Sequence, residues 1–182
     1  MEIRYASNDE DAKSYDTTQL RKHFLIEDLF VTGEIKMVYS HIDRIIVAGI
    51  VPTNKALVLE GSKALGCDYF LQRRELGVIN IGGAGTVTLD GEKHELGARD
   101  GLYVGLGIKE ISFTSVDAKN PAKFYMNSAT AHKNYPTVEI SLEKANKVQA
   151  GSDEECNKRV INQYVHPAVC KSCQLVMGMT IL

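Results

Sequence analysis

Six polar side chains capable of chemistry lie in two apolar runs: His41, Asp43 and Arg44 in MVYSHIDRIIVAGIVP, and Arg73, Arg74 and Glu75 in DYFLQRRELGVINI. A histidine two residues from an aspartate suits proton transfer, because a carboxylate can hold the imidazole in one tautomer. Arginines present planar forks that match carboxylates. His41 and Asp43 are therefore the candidate catalytic pair. Arg44, Arg73, Arg74 and Glu75 are the candidate substrate-binding group. The plainer alternative is a set of ion pairs that fixes strand register or a subunit contact, with His41 a hydrogen-bonded structural residue.

Both runs are rich in β-branched and aromatic residues, and the elements that must position these groups read as strands. Side chains alternate along a strand. His41 and Asp43 then share one face, with Arg44, Ile42 and Ile46 on the other. Likewise Arg73 and Glu75 share a face opposite Arg74. Further strands are expected at ALVLE, TVTL, EKHEL, GLYVG, EISFTSV and AKFYMNSA, each short and punctuated by Gly, Asp, Asn or Pro. One short helix is expected near the N-terminus, where Asp16 precedes TTQLRKHFL with Gln19 at the capping-box position and Leu20 and Phe24 one turn apart. This rhythm predicts an all-β sandwich or barrel rather than a doubly wound sheet.

Residues 75–91 read ELGVINIGGAGTVTLDG, and Gly83 and Gly85 could open a dinucleotide loop. Such a loop must start a helix whose N-terminal amides hold pyrophosphate. Here Val87 and Leu89 alternate with threonines and run into Asp90-Gly91, a strong hairpin signal. The glycines are expected to join strand to strand.

The remaining donors are scattered. Cys67 and Cys156 stand alone, and Cys170 and Cys173 form one C-x-x-C that lacks a second ligand pair for zinc or a βαβ context for redox chemistry. His132 and His166 could join that pair, but the spacing matches no zinc-finger pattern. His94, just past Asp90-Gly91, is expected to be exposed, and His23 lies on the short helix. Tyr103, Tyr125 and Tyr135 read as packing residues with satisfied hydroxyls.

The chain has 182 residues and a formal charge of -2, which gives no uniform basic field for nucleic acid or an anionic membrane. No apolar stretch reaches the roughly 20 residues of a membrane helix. MEIRYASNDEDAKSYD lacks the basic start and apolar middle of a secretion signal, so a cytoplasmic protein is expected. Small molecules and other protein chains are the expected partners. Residues 1–150 are expected to form one domain. The polar segment from Ser141 to Arg159 reads as a connector, with a possible cap at Ser152 and Glu155. Residues 151–182 would complete that connector and begin a second unit.

Two resemblances sharpen this. Glu75 and Gly82 have the E-x6-G spacing of the first cupin motif, and Gly105, Gly107 and Glu110 fall where the second motif has its proline, glycine and histidine. The two metal-binding histidines of the first motif would fall within 68–71, where there are none. The chain thus resembles a degenerate, metal-free cupin barrel in which Arg73 would replace the metal by neutralising Glu75 inside the barrel.

More closely, YSHIDRII, RRELGVINIGGAGT, DGLYVGLGIKEISF, PAKFYMNSATAHKNYPT and CQLVMGM are similar to the 5-keto-4-deoxyuronate isomerase family, from about Thr18 to Leu182. That resemblance implies a cytoplasmic two-barrel cupin enzyme of pectin and uronate breakdown. It implies a ketol isomerisation, a uronate-derived substrate, zinc and a hexamer. It places the family's zinc ligands after the position matching Leu182, so this chain would hold none. The alternative function is a metal-free cupin module that binds an acidic sugar or mediates assembly.

Overall fold

The computed structural model describes residues 1–182, folded into fourteen strands and two short helices. The chain opens with β1 (Glu2–Arg4), α1 (Asp9–Ala12) and α2 (Thr17–Phe24). The reciprocal capping box expected of α2 is present: the Asp16 side chain accepts from the Gln19 amide, and the Gln19 side chain accepts from the Asp16 amide. Its apolar pair is not buried, since Leu20 and Phe24 remain 43% and 51% exposed.

MVYSHIDRIIVAGIVP forms two strands, β2 (Ile35–Ser40) and β3 (Ile46–Ile50), rather than one. His41, Asp43 and Arg44 occupy the hairpin turn between them, so the face-sharing expected from a continuous strand does not occur. Asp43 and Arg44 both have positive φ, 54° and 52°. Two consecutive left-handed residues bend the chain more sharply than alternation allows, at a cost on the order of 1–2 kcal/mol each.

After β4 (Leu57–Val58) come two short 3-10 turns, Lys63–Leu65 and Phe70–Gln72. DYFLQRRELGVINI is accordingly a strand only from β5 (Arg74–Asn80) onward. Then follow β6 (Gly85–Leu89), β7 (Glu92–Leu96), β8 (Gly101–Val104), β9 (Ile111–Ser115) and β10 (Phe124–Thr130). The chain continues through β11 (Val138–Ile140), β12 (Asn146–Ala150), β13 (Arg159–Val165) and β14 (Met177–Ile181).

The strands form three sheets. A central seven-stranded sheet runs β1-β2-β3-β10-β5-β8-β11, a four-stranded sheet runs β4-β9-β6-β7, and a small sheet runs β12-β13-β14. Pairing is antiparallel except where β1 lies parallel to β2 at the edge. The mainly β sandwich expected from the sequence is what the chain adopts, as open packed sheets rather than a closed barrel. The segment expected as a connector contains β12, and Ser152 and Glu155 cap a turn rather than a helix.

Alternation along the central strands explains the layering. Leu76 and Val78 of β5, Leu102 and Val104 of β8, and Phe124 and Met126 of β10 point to the four-stranded sheet, where they meet Val87, Leu96 and Phe113. Each such side chain contributes about 1.5–3 kcal/mol when fully buried. The opposite face carries Ile79, Tyr103 and Ala129 against Tyr164, Val165, Leu175 and Met177. Gly77 lies beneath this second layer, and a Cβ there would come within 2.8 Å of Met177 Sδ.

The glycine loop joins β5 of the central sheet to β6 of the four-stranded sheet. Asn80, fully buried, organises it. Its Nδ2 donates to the carbonyls of Gly83, Leu96 and Gly97, and its Oδ1 accepts from the amides of Gly82 and Lys123. A Cβ on Gly83 would fall 2.1 Å from the Asn120 carbonyl oxygen, so close backbone approach demands glycine there.

Candidate functional site

Arg74 begins β5 on the interior face, in line with Leu76 and Val78, and is only 5% exposed. Its Nε donates to Ser128 Oγ at 3.0 Å, and Nη2 donates to the carbonyls of Ser128 and Arg44, both at 2.7 Å. The guanidinium lies 5.7 Å from the centre of the Tyr39 ring, within cation–π range. Nη1 has no partner within the chain. The sealed side-chain atoms without a partner are Ser62 Oγ and Asn127 Oδ1, so Nη1 keeps open surface. Burial lowers the guanidinium to about 10, which leaves it charged at neutral pH.

Arg74, Arg44 and Arg73 together line a cavity of about 190 Å³. Tyr39, Leu65, Cys67 and Phe70 supply much of the rest, and no lining residue is acidic. No salt bridge of the chain involves any of the three arginines. The structure therefore brings Arg44, Arg73 and Arg74 together around one space, as a fixed cation at the base and two exposed cations near it.

Glu75 does not join them. Pointing to the opposite face of β5, it is fully buried and accepts four hydrogen bonds. Tyr103 Oη donates to Oε2 at 2.7 Å and the Cys173 amide at 2.8 Å; the Gln174 and Leu175 amides donate to Oε1 at 2.7 and 2.8 Å. The expected Arg73–Glu75 pair is thus corrected: Arg73 is exposed, and the carboxylate is instead hydrogen-bonded by three amides and a phenol. Burial, with the Glu75 carboxylate beside it, pushes the Tyr103 phenol well above its ordinary value.

His41 and Asp43 also lie apart from the arginine cavity, along an open groove with Arg44, Ile45, Gln174 and Val176. The His41 ring stacks on Tyr5 at 4.6 Å and meets the edge of Tyr39 at 5.1 Å. It forms no side-chain hydrogen bond with Asp43. The expected tautomer-holding contact is absent because the two residues sit in a turn.

His94 is buried at 7% exposure rather than exposed, with Nδ1 2.7 Å from Glu139 Oε1. It shares the inward face of β7 with Leu96, so alternation overrides proximity to the hairpin turn. Tyr103 is the packed residue with a satisfied hydroxyl that the sequence suggested. His166 Nδ1 accepts from the Ala168 amide, and Cys173 Sγ lies 3.2 Å from the Lys133 carbonyl oxygen. All four cysteines are free, and burial pushes the Cys170 thiol up.

No group of three or more His, Cys, Asp or Glu side chains converges as metal ligands. The donor chemistry does not fit one either, since the carboxylate at the cupin position is consumed by four internal donors and Glu110 is exposed.

Sequence reasoning missed Ser128, Tyr39 and Cys67. Ser128 carried a usable signal, because it continues the apolar face of Phe124 and Met126 as a fully buried polar residue. A polar group at such a position needs a partner, and Arg74 is that partner.

An open, mainly antiparallel β sandwich defines the class. Within it, the chain belongs to the KduI/IolB family, which matches residues 24–182. It is 57% identical over 180 residues to the 4-deoxy-L-threo-5-hexosulose-uronate ketol-isomerase of Lachnoclostridium phytofermentans, covering 99% of this chain and 65% of that protein. It is 53% identical to the protein of the same name from Caldicellulosiruptor bescii, covering 100% of this chain and 66% of the relative. The chain thus spans just under two thirds of the length of these relatives. Among solved structures, an IolB-like protein from Salmonella typhimurium LT2 shares the fold, with a TM-score of 0.51 and 14% identity, covering 65% of this chain and 43% of that one.

Proposed function

We propose that this chain is the N-terminal part of a 4-deoxy-L-threo-5-hexosulose-uronate ketol-isomerase, an enzyme of uronate breakdown. The observation that carries this reading is identity of 50–57% along essentially the whole chain to proteins of that name. The reaction moves a proton between adjacent carbons through an enediol. This part supplies a rigid scaffold: the Glu75 clasp ties the central sheet to the segment leading into β14, and Asn80 ties the two sandwich sheets together.

Zinc, if it serves this enzyme, is proposed to be held by residues beyond Leu182, because the donors of residues 1–182 do not fit a metal site. Residues 151–182, which carry β13 and β14, would then be the connector and the start of a second barrel, with residues 1–150 as the first. A cytoplasmic homo-oligomer, a hexamer by family resemblance, is part of the same proposal. The test is turnover by the full-length natural protein. Incubation with 4-deoxy-L-threo-5-hexosulose uronate should yield 3-deoxy-D-glycero-2,5-hexodiulosonate, followed by loss of the aldehyde signal in NMR, and no conversion would refute the assignment.

A second reading, a module that binds an acidic sugar without turning it over, is favoured by one observation: three arginines without carboxylate partners around one cavity.

A further inference from the structure

We propose that the cavity based on Arg74 is a binding site for a small organic carboxylate, separate from any metal centre of the protein. Arg74 is 95% removed from solvent, remains charged at neutral pH, and its hydrogen bonds go only to a hydroxyl and to backbone carbonyls. A buried cation normally carries a carboxylate partner, because desolvation without one is costly. None pairs with it in the chain, and the side chains whose charge acts on Arg74 are Tyr39, Cys67 and Arg44. Arg44 and Arg73 add positive charge beside it, which raises the cost further unless an anion completes the set.

The site is also built. Three contacts pin Arg74: Ser128, the Arg44 carbonyl and the Tyr39 ring. This pinning leaves Nη1 without a partner in the chain, on a residue that lines the cavity. The Arg44 carbonyl is brought to it by two consecutive left-handed residues, Asp43 and Arg44, a conformation that non-glycine residues adopt only at a cost. Such strain is retained where the surrounding structure uses it.

The chemistry favours a carboxylate over a phosphate. The unpartnered Nη1 can donate to one oxygen of a carboxylate, with the exposed guanidinium groups of Arg44 and Arg73 available for the other. Half of the lining is apolar, with Leu65 and Phe70 available for a carbon body. No glycine lines the space, and its helical residues Ala64, Leu65 and Phe70 belong to three-residue 3-10 turns rather than to a helix long enough to hold a tetrahedral anion. At about 190 Å³ the cavity is below the range of drug-sized pockets and suits a molecule of a few carbons or one end of a sugar acid. The charge argument stands without the isomerase reading; the choice of a sugar acid rests on it.

Cys67 lines the cavity and Cys156 is exposed elsewhere, which gives a local readout. The full-length natural protein is alkylated with iodoacetamide, and the rate at each cysteine is followed by mass spectrometry. D-galacturonate should slow modification of Cys67 at least about fivefold and leave Cys156 unchanged, while D-galactose protects neither. The Arg44→Ala/Arg73→Ala variant, which alters exposed side chains only, should lose that protection, as should Arg74→Met if it folds. Absence of galacturonate protection, equal protection by galactose, or protection by inorganic phosphate as strong as by galacturonate would overturn the proposal. Wild-type turnover is measured separately, so failure of the isomerase reading shows as no product and failure of this one as an unprotected Cys67.

Discussion

The Tyr103 hydroxyl donates to the Glu75 carboxylate at 2.7 Å, across adjacent strands β8 and β5, with both side chains sealed from solvent. Three consecutive backbone amides, from Cys173 to Leu175, complete the acceptor set. A residue that sequence alone offers as a ligand for substrate is thereby a clasp between the central sheet and the segment that carries β14.

Removing one donor from this clasp should cost about 1.5–3 kcal/mol, the range for hydrogen bonds to charged groups. Tyr103→Phe is expected to lower stability by that amount in urea unfolding. Glu75→Ala, which leaves four donors unpaired at about 1–3 kcal/mol for each that water cannot reach, should cost more than Tyr103→Phe. In hydrogen exchange the amides of Cys173, Gln174 and Leu175 should lose protection in Glu75→Ala ahead of those in β6 and β9. Unchanged exchange there would show that the clasp does not hold the segment.

Alkaline pH reads the same contact. Tyr103 is raised well above its ordinary value by burial and Glu75, and burial pushes Tyr164 up to about 12. A phenol raised in the folded state contributes stability that is complete below the unfolded value near 10 and is lost as pH rises above it. Stability should therefore fall progressively above about pH 10, and the slope should be shallower in Tyr103→Phe. In an ultraviolet titration, two of the eight tyrosines should ionise only as the protein unfolds.

Asn80 makes five hydrogen bonds at the crossing between the sandwich sheets. Asn80→Ala should destabilise by about 2–4 kcal/mol, because each buried backbone group left unpaired costs on the order of 1–3 kcal/mol and water can reach only some of them. Asn80→Asp, which keeps the acceptor and loses the donor, should be no better. Thermal melts of both variants check this.

Two glycines should separate by what their missing Cβ would meet. At Gly85 the nearest atoms include the Thr114 carbonyl oxygen at 2.6 Å, which is backbone and cannot yield. At Gly77 the nearest is Met177 Sδ at 2.8 Å, the end of a flexible side chain. Gly85→Ala should therefore destabilise more than Gly77→Ala, whose cost should stay within about 1–3 kcal/mol. Equal melting points would contradict the assignment of these contacts.

The sequence makes the sandwich legible because short alternating strands and Asp-Gly turns carry it locally. The strand-to-strand role of the glycine loop is legible for the same reason, since Val87 and Leu89 alternate directly after Gly85. The site is less so. His41, Asp43 and Arg44 look like strand residues because β-branched neighbours flank them on both sides, and nothing local announces two left-handed residues in succession. Glu75 and Arg74 are adjacent on one strand, and which of them faces the interior depends on which face the neighbouring strands cover. The partners of both, Ser128 and Tyr103, lie 54 and 28 positions away. Their pairing is set by tertiary register rather than by spacing.

On the function proposed above, residues 1–182 frame an isomerase whose reaction centre they do not themselves ligate. The most direct measurement is turnover of 4-deoxy-L-threo-5-hexosulose uronate, with bound metal counted in the same sample, by the full-length natural protein and by His132→Gln, His166→Gln and Cys173→Ser variants. The proposed function predicts ketose formation by the parent protein, with metal content and turnover retained in all three variants. No ketose formation, or loss of metal on replacing any of these donors, would contradict it.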